Sequence, residues 1–222
     1  MRPERISSRS VFITGATGYL GLALVPDLLE RGHRVKALAR SGSAQRLPVG
    51  AEAVIGDALD PHSFSHAIAP ADTLVHLIGT PHPGPGKAAQ FQAVDLPSVD
   101  AALSAALGAG VRHFIYLSVA QPAPVMHDYI AVRQAGEAHI RASGIAATFL
   151  RPWYVLGPGH HWPLPLLPLY AVLERLPPTR DLALRLGMVT LRQMTAALVA
   201  AVEQGAEGIR IIDVPGIRAA QF

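Results

Sequence analysis

Apolar and polar positions along the chain switch repeatedly between two periods. Short apolar runs, the length of buried strands, fall at residues 10–14, 33–39, 53–55, 73–78, 111–117, 147–150 and 209–214. Between them, apolar residues recur at spacings of three and four. The first such stretch, 19–31, carries Leu22, Val25, Leu28 and Leu29 and is stopped by Gly32. A second face is marked by Leu96, Val99, Leu103 and Leu107, and a third helix is predicted over 129–143. Asp60 with Pro61 behind it predicts a short capped helix. Thr190 and Gln193 form a capping box for a last helix, whose apolar face is Leu191, Met194, Leu198 and Val202. Strand and helix in strict alternation predict an α/β fold: a doubly wound parallel sheet covered on both faces. After Arg151-Pro152 the alternation stops, and 153–188, rich in Pro, Leu and aromatic residues, reads as an excursion over the ligand crevice.

The first strand runs into Thr14-Gly15-Ala16-Thr17-Gly18-Tyr19-Leu20-Gly21, a T-G-x-x-G-x-x-G array that opens the first helix. In that setting Gly15 allows a tight turn, Gly18 lets the backbone approach a pyrophosphate, and Gly21 lets helix pack on strand. The free N–H groups at the helix N-terminus then face phosphate charge. The second strand ends Ala39-Arg40-Ser41, with no acid where an NAD-selective fold places one for the ribose 2′-hydroxyl. Arg40, with Ser41 beside it, suits a 2′-phosphate, so NADP(H) is the preferred cofactor and NAD(H) remains open.

Of the 222 residues, 50% are hydrophobic and 16% charged, which suits a single domain over 1–222 with a small cap at about 153–188. The absence of cysteine excludes disulfides, thiolate metal sites and a cysteine nucleophile. His62 and His66, and His160-His161, lack a third ligand of fitting spacing, so no metal is expected. A net charge of +3 without a basic tract argues against nucleic acid. The first ten residues lack the apolar core of a secretory signal, and 164–173, broken by Pro165 and Pro168, is too short to span a bilayer. The expectation is a cytoplasmic protein with a small-molecule substrate and no integral membrane segment, with a homodimer left open.

The chain resembles the short-chain dehydrogenase/reductase superfamily, in the extended and atypical branch of NAD(P)H-binding, epimerase-like and NmrA-like proteins. The glycine array, a serine at the end of strand five (Ser118), Tyr129-Ile130-Ala131-Val132-Arg133 in place of Y-x-x-x-K, and Arg151-Pro152 with Gly157-Pro158 carry the likeness. The resemblance implies a Rossmann fold with a reduced substrate cap. It implies that Thr14, Gly15, Thr17, Gly18, Tyr19, Leu20 and Gly21 hold the dinucleotide together with Arg40 and Ser41, Asp57 and Ala58, and Ile78 and Gly79. Asp57 matches an adenine-contacting aspartate, and equally suits a local turn. The implied catalytic set is Tyr129 as acid or base, Ser118 as donor to the substrate oxygen, and Arg133 as the tyrosine's cationic partner.

Two departures stand out. Arg133 replaces lysine, and its planar guanidinium is no conservative substitute. The family's helix asparagine has no counterpart in a chain without Asn, and Asp95 lies near its place. Trp153, Tyr154, His160, His161, Trp162, Pro163 and Leu166 bring apolar and aromatic surface to the sheet's carboxyl edge, which suits a simple cover or a dimer contact and also suits an apolar substrate. Three functions stay open: hydride transfer between NADP(H) and a small apolar carbonyl or alcohol; a non-catalytic dinucleotide sensor or assembly subunit, as in NmrA-like regulators or the accessory subunit of respiratory complex I; and an epimerase-like enzyme retaining its cofactor.

Overall fold

The computed structural model describes residues 8–81, 83–84, 86–161 and 164–222. In chain order its elements are β1 (Ser10–Thr14), α1 (Tyr19–Glu30), β2 (Arg34–Ala39), β3 (Glu52–Ile55), α2 (Ser65–Ile68), β4 (Thr73–His76), α3 (Ala88–Gln90), α4 (Leu96–Gly108) and β5 (His113–Leu117). There follow α5 (His127–Ala142), β6 (Ala146–Leu150), β7 (Tyr154–Leu156), α6 (Leu167–Leu173), α7 (Arg180–Arg185), β8 (Met188–Thr190), α8 (Leu191–Gln204), β9 (Ile209–Ile212) and α9 (Val214–Ala219).

Seven strands form one parallel sheet in the order β3-β2-β1-β4-β5-β6-β9. Every residue of β1 is buried, as a strand covered on both faces must be. The period of two then divides the core. Val11 and Ile13 point into a cluster with Leu24, Val25 and Leu28 of α1 and Leu198 and Val202 of α8. Phe12 points the other way, among Val99 and Leu103 of α4 and Phe114 and Phe149 of β5 and β6. The order reverses between β1 and β4, and an open α/β sheet binds its ligand at such a switch point, outside the carboxyl ends of the strands.

The structure moves several predicted boundaries. The fourth strand ends at His76 rather than 78, because the Ile78 carbonyl turns to accept a hydrogen bond from Arg133. The fifth begins at His113, and α5 begins two residues early, behind Met126 in the left-handed region. The last strand stops at Ile212, since Asp213 caps α9 by accepting from the Gly216 N–H at 3.1 Å. Leu107 lies on the solvent side of α4 rather than in its core face. The Thr190–Gln193 capping box forms in both directions, at 3.1 and 2.9 Å.

The excursion contains structure of its own. β7 and β8 pair in parallel, Tyr154 opposite Met188 and Leu156 opposite Thr190, and so join its two ends. Between them, α6 buries no residue: Leu167, Leu169 and Val172 are exposed. Trp162 and Pro163 lie outside the described residues. No described helix is long and apolar enough to cross a membrane.

Candidate functional site

Three groups of residues lie along the carboxyl ends of the parallel strands. The first is the glycine turn. Gly15 sits at φ +80°, and a Cβ there would lie 2.9 Å from the Leu77 backbone. A Cβ on Gly21 would meet the backbone of Gly15 and Ala16 at 2.5 Å, so α1 packs against the turn at a distance only glycine permits. Gly18 is the exposed N-cap, and Leu22 N–H makes the first helical bond back to its carbonyl at 2.9 Å. The N–H groups of Tyr19, Leu20 and Gly21 therefore have no acceptor within the helix. Thr17 is half-buried beside them, while the Thr14 hydroxyl points inward to His76 Nδ1 at 2.8 Å. Tyr19 lies under the excursion, its ring 4.3 Å from that of His160.

The second group lies at the ends of β2 and β3. Arg40 and Ser41 are exposed where β2 gives way to a 3-10 turn, and the Arg40 side chain has no partner among the described residues. Asp57 is exposed and forms a local turn, accepting from Leu59 N–H at 3.0 Å, with Ala58 half-buried next to it.

The third group is carried by one face of α5, where Tyr129, Arg133 and Glu137 recur every fourth residue. Arg133 is 1% exposed; both of its amino groups donate hydrogen bonds, while its buried Nε has no acceptor among the described residues. Nη2 donates to Asp95 Oδ1 at 2.8 Å; Nη1 donates to the carbonyls of Leu117 at 3.0 Å and Ile78 at 3.2 Å, with Tyr116 Oη at 3.4 Å. The guanidinium reaches this place past Gly79, where a Cβ would sit 2.0 Å from Nη2. Its carbon lies 5.1 Å from the Tyr129 ring centroid, a cation–π contact, and Phe91 packs on the same ring. Burial opposes its charge, yet the facing Tyr129, Tyr116 and Asp95 more than offset that and hold its pKa above the ordinary value.

Asp95 is fully buried at the end of a π-turn, Phe91–Asp95, that leads into α4. Besides Arg133 it accepts from Thr80 N–H at 3.0 Å and Thr80 Oγ1 at 2.6 Å. Beneath it, Ser98 Oγ donates to the Asp95 carbonyl at 2.8 Å and lies 3.3 Å from His76 Nε2. Burial, reinforced by Arg133, drives the His76 pKa down to about 3, so this ring is neutral. The departure from asparagine and lysine is thus a compensated one, in which a buried acid and a buried guanidinium answer each other.

Ser118 also has a partner that the sequence did not suggest. Its hydroxyl donates to Glu137 Oε1 at 2.6 Å. Glu137 is 3% exposed, and its charge is met by Arg151 through Nε at 2.8 Å and Nη2 at 2.5 Å, with Gln121 Nε2 adding a bond at 3.1 Å. The available signal was spacing: Glu137 repeats the Tyr129–Arg133 interval, and Arg151 stands at the end of the strand beside β5.

A family model described as NAD(P)H-binding matches residues 15–159, which takes in the glycine turn, Tyr129 and Arg133. The chain belongs to that family. Among curated proteins, this NAD(P)H-binding chain is 32% identical over 192 residues to a ceramide reductase of Caulobacter vibrioides, covering 86% of this chain and 60% of that one. It is 27% identical over 179 residues to a 2-alkyl-3-oxoalkanoate reductase of Stenotrophomonas maltophilia, covering 71% and 54%. The chain therefore spans little more than half the length of these relatives. In fold it matches the enzyme WbmH of Bordetella bronchiseptica solved with NAD+, at a TM-score of 0.70 and 20% identity over 93% of this chain and 76% of that one. It likewise matches a short-chain dehydrogenase/reductase superfamily protein of Agrobacterium tumefaciens with bound NAD, at 0.66 and 19% over 94% and 80%. The Rossmann fold is shared with both of these structures.

Proposed function

We propose that this chain is an NADP(H)-dependent oxidoreductase that moves hydride between the nicotinamide and a small, apolar carbonyl compound or its alcohol. On this reading the whole chain is one dinucleotide-binding unit capped by the excursion. The observation that carries the cofactor preference is Arg40, exposed at the end of β2 with no partner among the described residues and no acid beside it. An acid there would repel a 2′-phosphate, whereas a free guanidinium pairs with one. The turn suits the rest of the dinucleotide: three helix N–H groups without acceptors within the helix stand at a turn whose close packing requires glycine at 15 and 21.

When bound, the reduced nicotinamide supplies hydride to the carbonyl carbon. Tyr129 would deliver its phenolic proton to the carbonyl oxygen and regain one from solvent. Arg133 and Phe91, both packed against it, would hold the Tyr129 ring in place. Ser118 donates to Glu137, so toward a ligand it offers lone pairs; to donate to a carbonyl oxygen it must release that bond. The relatives' names support the apolar class: a ceramide, a 2-alkyl-3-oxoalkanoate, and the farnesyl-bearing quinoline of a ketoreductase from Stigmatella aurantiaca, 28% identical over 130 residues.

A specific observation favours a second reading, a dinucleotide-binding protein without turnover. Both Arg133 amino groups donate to protein acceptors, and the Ser118 proton is held by a buried carboxylate. Calorimetric titration with NADPH and NADH, on wild type and Arg40→Ala, tests the cofactor site. NADPH should bind about ten-fold tighter or more, a preference lost in the variant, since a charge-assisted contact contributes about 1.5–3 kcal/mol. NADPH oxidation with long-chain 3-oxo esters then separates the readings. Turnover abolished by Tyr129→Phe supports the enzyme; binding without turnover supports the sensor.

A further inference from the structure

Because the strands are parallel, their amino ends gather on the edge opposite the glycine turn, about 15 Å away along a five-residue strand. There a cavity of about 670 Å³ opens among residues that precede or begin β1, β4, β5 and β9: Arg9, Asp72, Thr73, Arg112, His113 and Arg210 line it. Three guanidinium groups on one cavity would ordinarily each find a carboxylate. Among the described residues none of the three does. The nearby Glu203 carboxylate is taken by Arg31 through two bonds. Asp72 is occupied by the Ser10 N–H at 3.2 Å and the Thr73 hydroxyl at 2.8 Å.

What the arginines do touch is weak or partial. Arg9 Nη2 donates to the Glu203 carbonyl at 3.4 Å, and Arg210 Nη1 to Gln204 Oε1 at 2.7 Å. Arg9 Nε, Arg210 Nε and Nη2, and His113 Nδ1 are buried with no acceptor among the described residues. Arg112 stands exposed at the rim. The lining holds two acids, Asp72 and Glu207, so net charge alone would not draw an anion here. The attraction lies in three lining guanidiniums that meet no carboxylate among the described residues, since their forks match the oxygens of a multiply charged group.

We propose that this edge is a second binding site, for the phosphoryl group of a small molecule, formed by Arg9, Arg112 and Arg210. A phosphoryl group offers three acceptor oxygens to three guanidiniums. The ionisation of the neighbours agrees. Burial, helped by Arg210 and Arg9, lowers the His113 pKa to about 4, and burial lowers that of Arg210. Both groups thus feel cationic charge or desolvation that a bound anion would relieve.

The test is titration of the whole chain with pyrophosphate at constant ionic strength, read by calorimetry and by the ring signals of His113 in NMR. Saturable binding is expected, weakened about ten-fold in Arg210→Gln and in Arg112→Gln, as loss of one charge-assisted contact requires. The His113 titration midpoint should rise in the presence of pyrophosphate. Arg112 is exposed, so that variant reports even if Arg210→Gln folds poorly. Absence of saturable binding, binding indifferent to both variants (as capture at the glycine turn would be), or an unmoved His113 would each overturn the proposal.

Discussion

The buried pair of Asp95 and Arg133 makes the sharpest energetic prediction. At 0% and 1% exposure neither group reaches water, so each depends on the other. Replacing Asp95 by Asn leaves the guanidinium without its counter-charge and turns an amide N–H toward either Thr80 N–H or Arg133. Replacing Arg133 by Lys gives one ammonium to serve Asp95 and the carbonyls of Leu117 and Ile78, which the guanidinium now bridges at 2.8–3.2 Å. Removing one member of such a pair costs about 3–5 kcal/mol, a large share of the roughly 5–15 kcal/mol that holds a domain together. The double variant Asp95→Asn/Arg133→Lys returns the site to the asparagine and lysine that the resemblance led one to expect. Its loss should be smaller than the sum of the singles by about 1–3 kcal/mol, since contacting groups do not act independently. Urea denaturation of all four proteins, followed by circular dichroism, measures the cycle. Single losses under about 1 kcal/mol that simply add would refute the idea that this pair ties α4 and α5 to the strand ends.

Three further outcomes follow from particular contacts. His76 and His113 are neutral in the fold, with pKa values lowered to about 3 and about 4, so stability is full above the unfolded value near 6.5 and falls as pH drops toward 4. Each should lose about 3 kcal/mol across that window, and His113→Asn should flatten its share of the slope in denaturation series from pH 7 to pH 4. Gly21→Ala must push α1 off the turn, costing about 1–3 kcal/mol and weakening dinucleotide binding in calorimetry. Thr190→Ala removes one half of the α8 capping box and should lower stability by about 0.5–2 kcal/mol with cofactor affinity unchanged.

Most of the sheet was legible because its strands are covered on both faces and its helices are amphipathic, so the period of the pattern identifies each. Ser10–Thr14 and the Thr190 cap were read residue for residue. What escaped depends on contacts between segments distant in sequence. Ile78 leaves the ladder because of an arginine 55 positions later. β7 and β8 are three residues each, too short to show a period, and exist because they find each other across the excursion. At the site, the chain announced Tyr129, Arg133 and Ser118 as types at spacings. That Asp95 and Glu137 each take up one of those side chains could be read only once α4 and α5 were docked on the sheet.

The parallel pairing of β7 with β8 has a consequence for how this fold can change. Because the ladder joins the excursion at its base, residues 157–187 form a loop whose ends are already held together. In chain-statistics terms, doubling such a loop costs only about 0.6 kcal/mol in closure entropy. Insertion or replacement there can remake this segment while the sheet, the glycine turn and the α5 face remain as they are, so that the two parts of the chain are free to change on separate clocks.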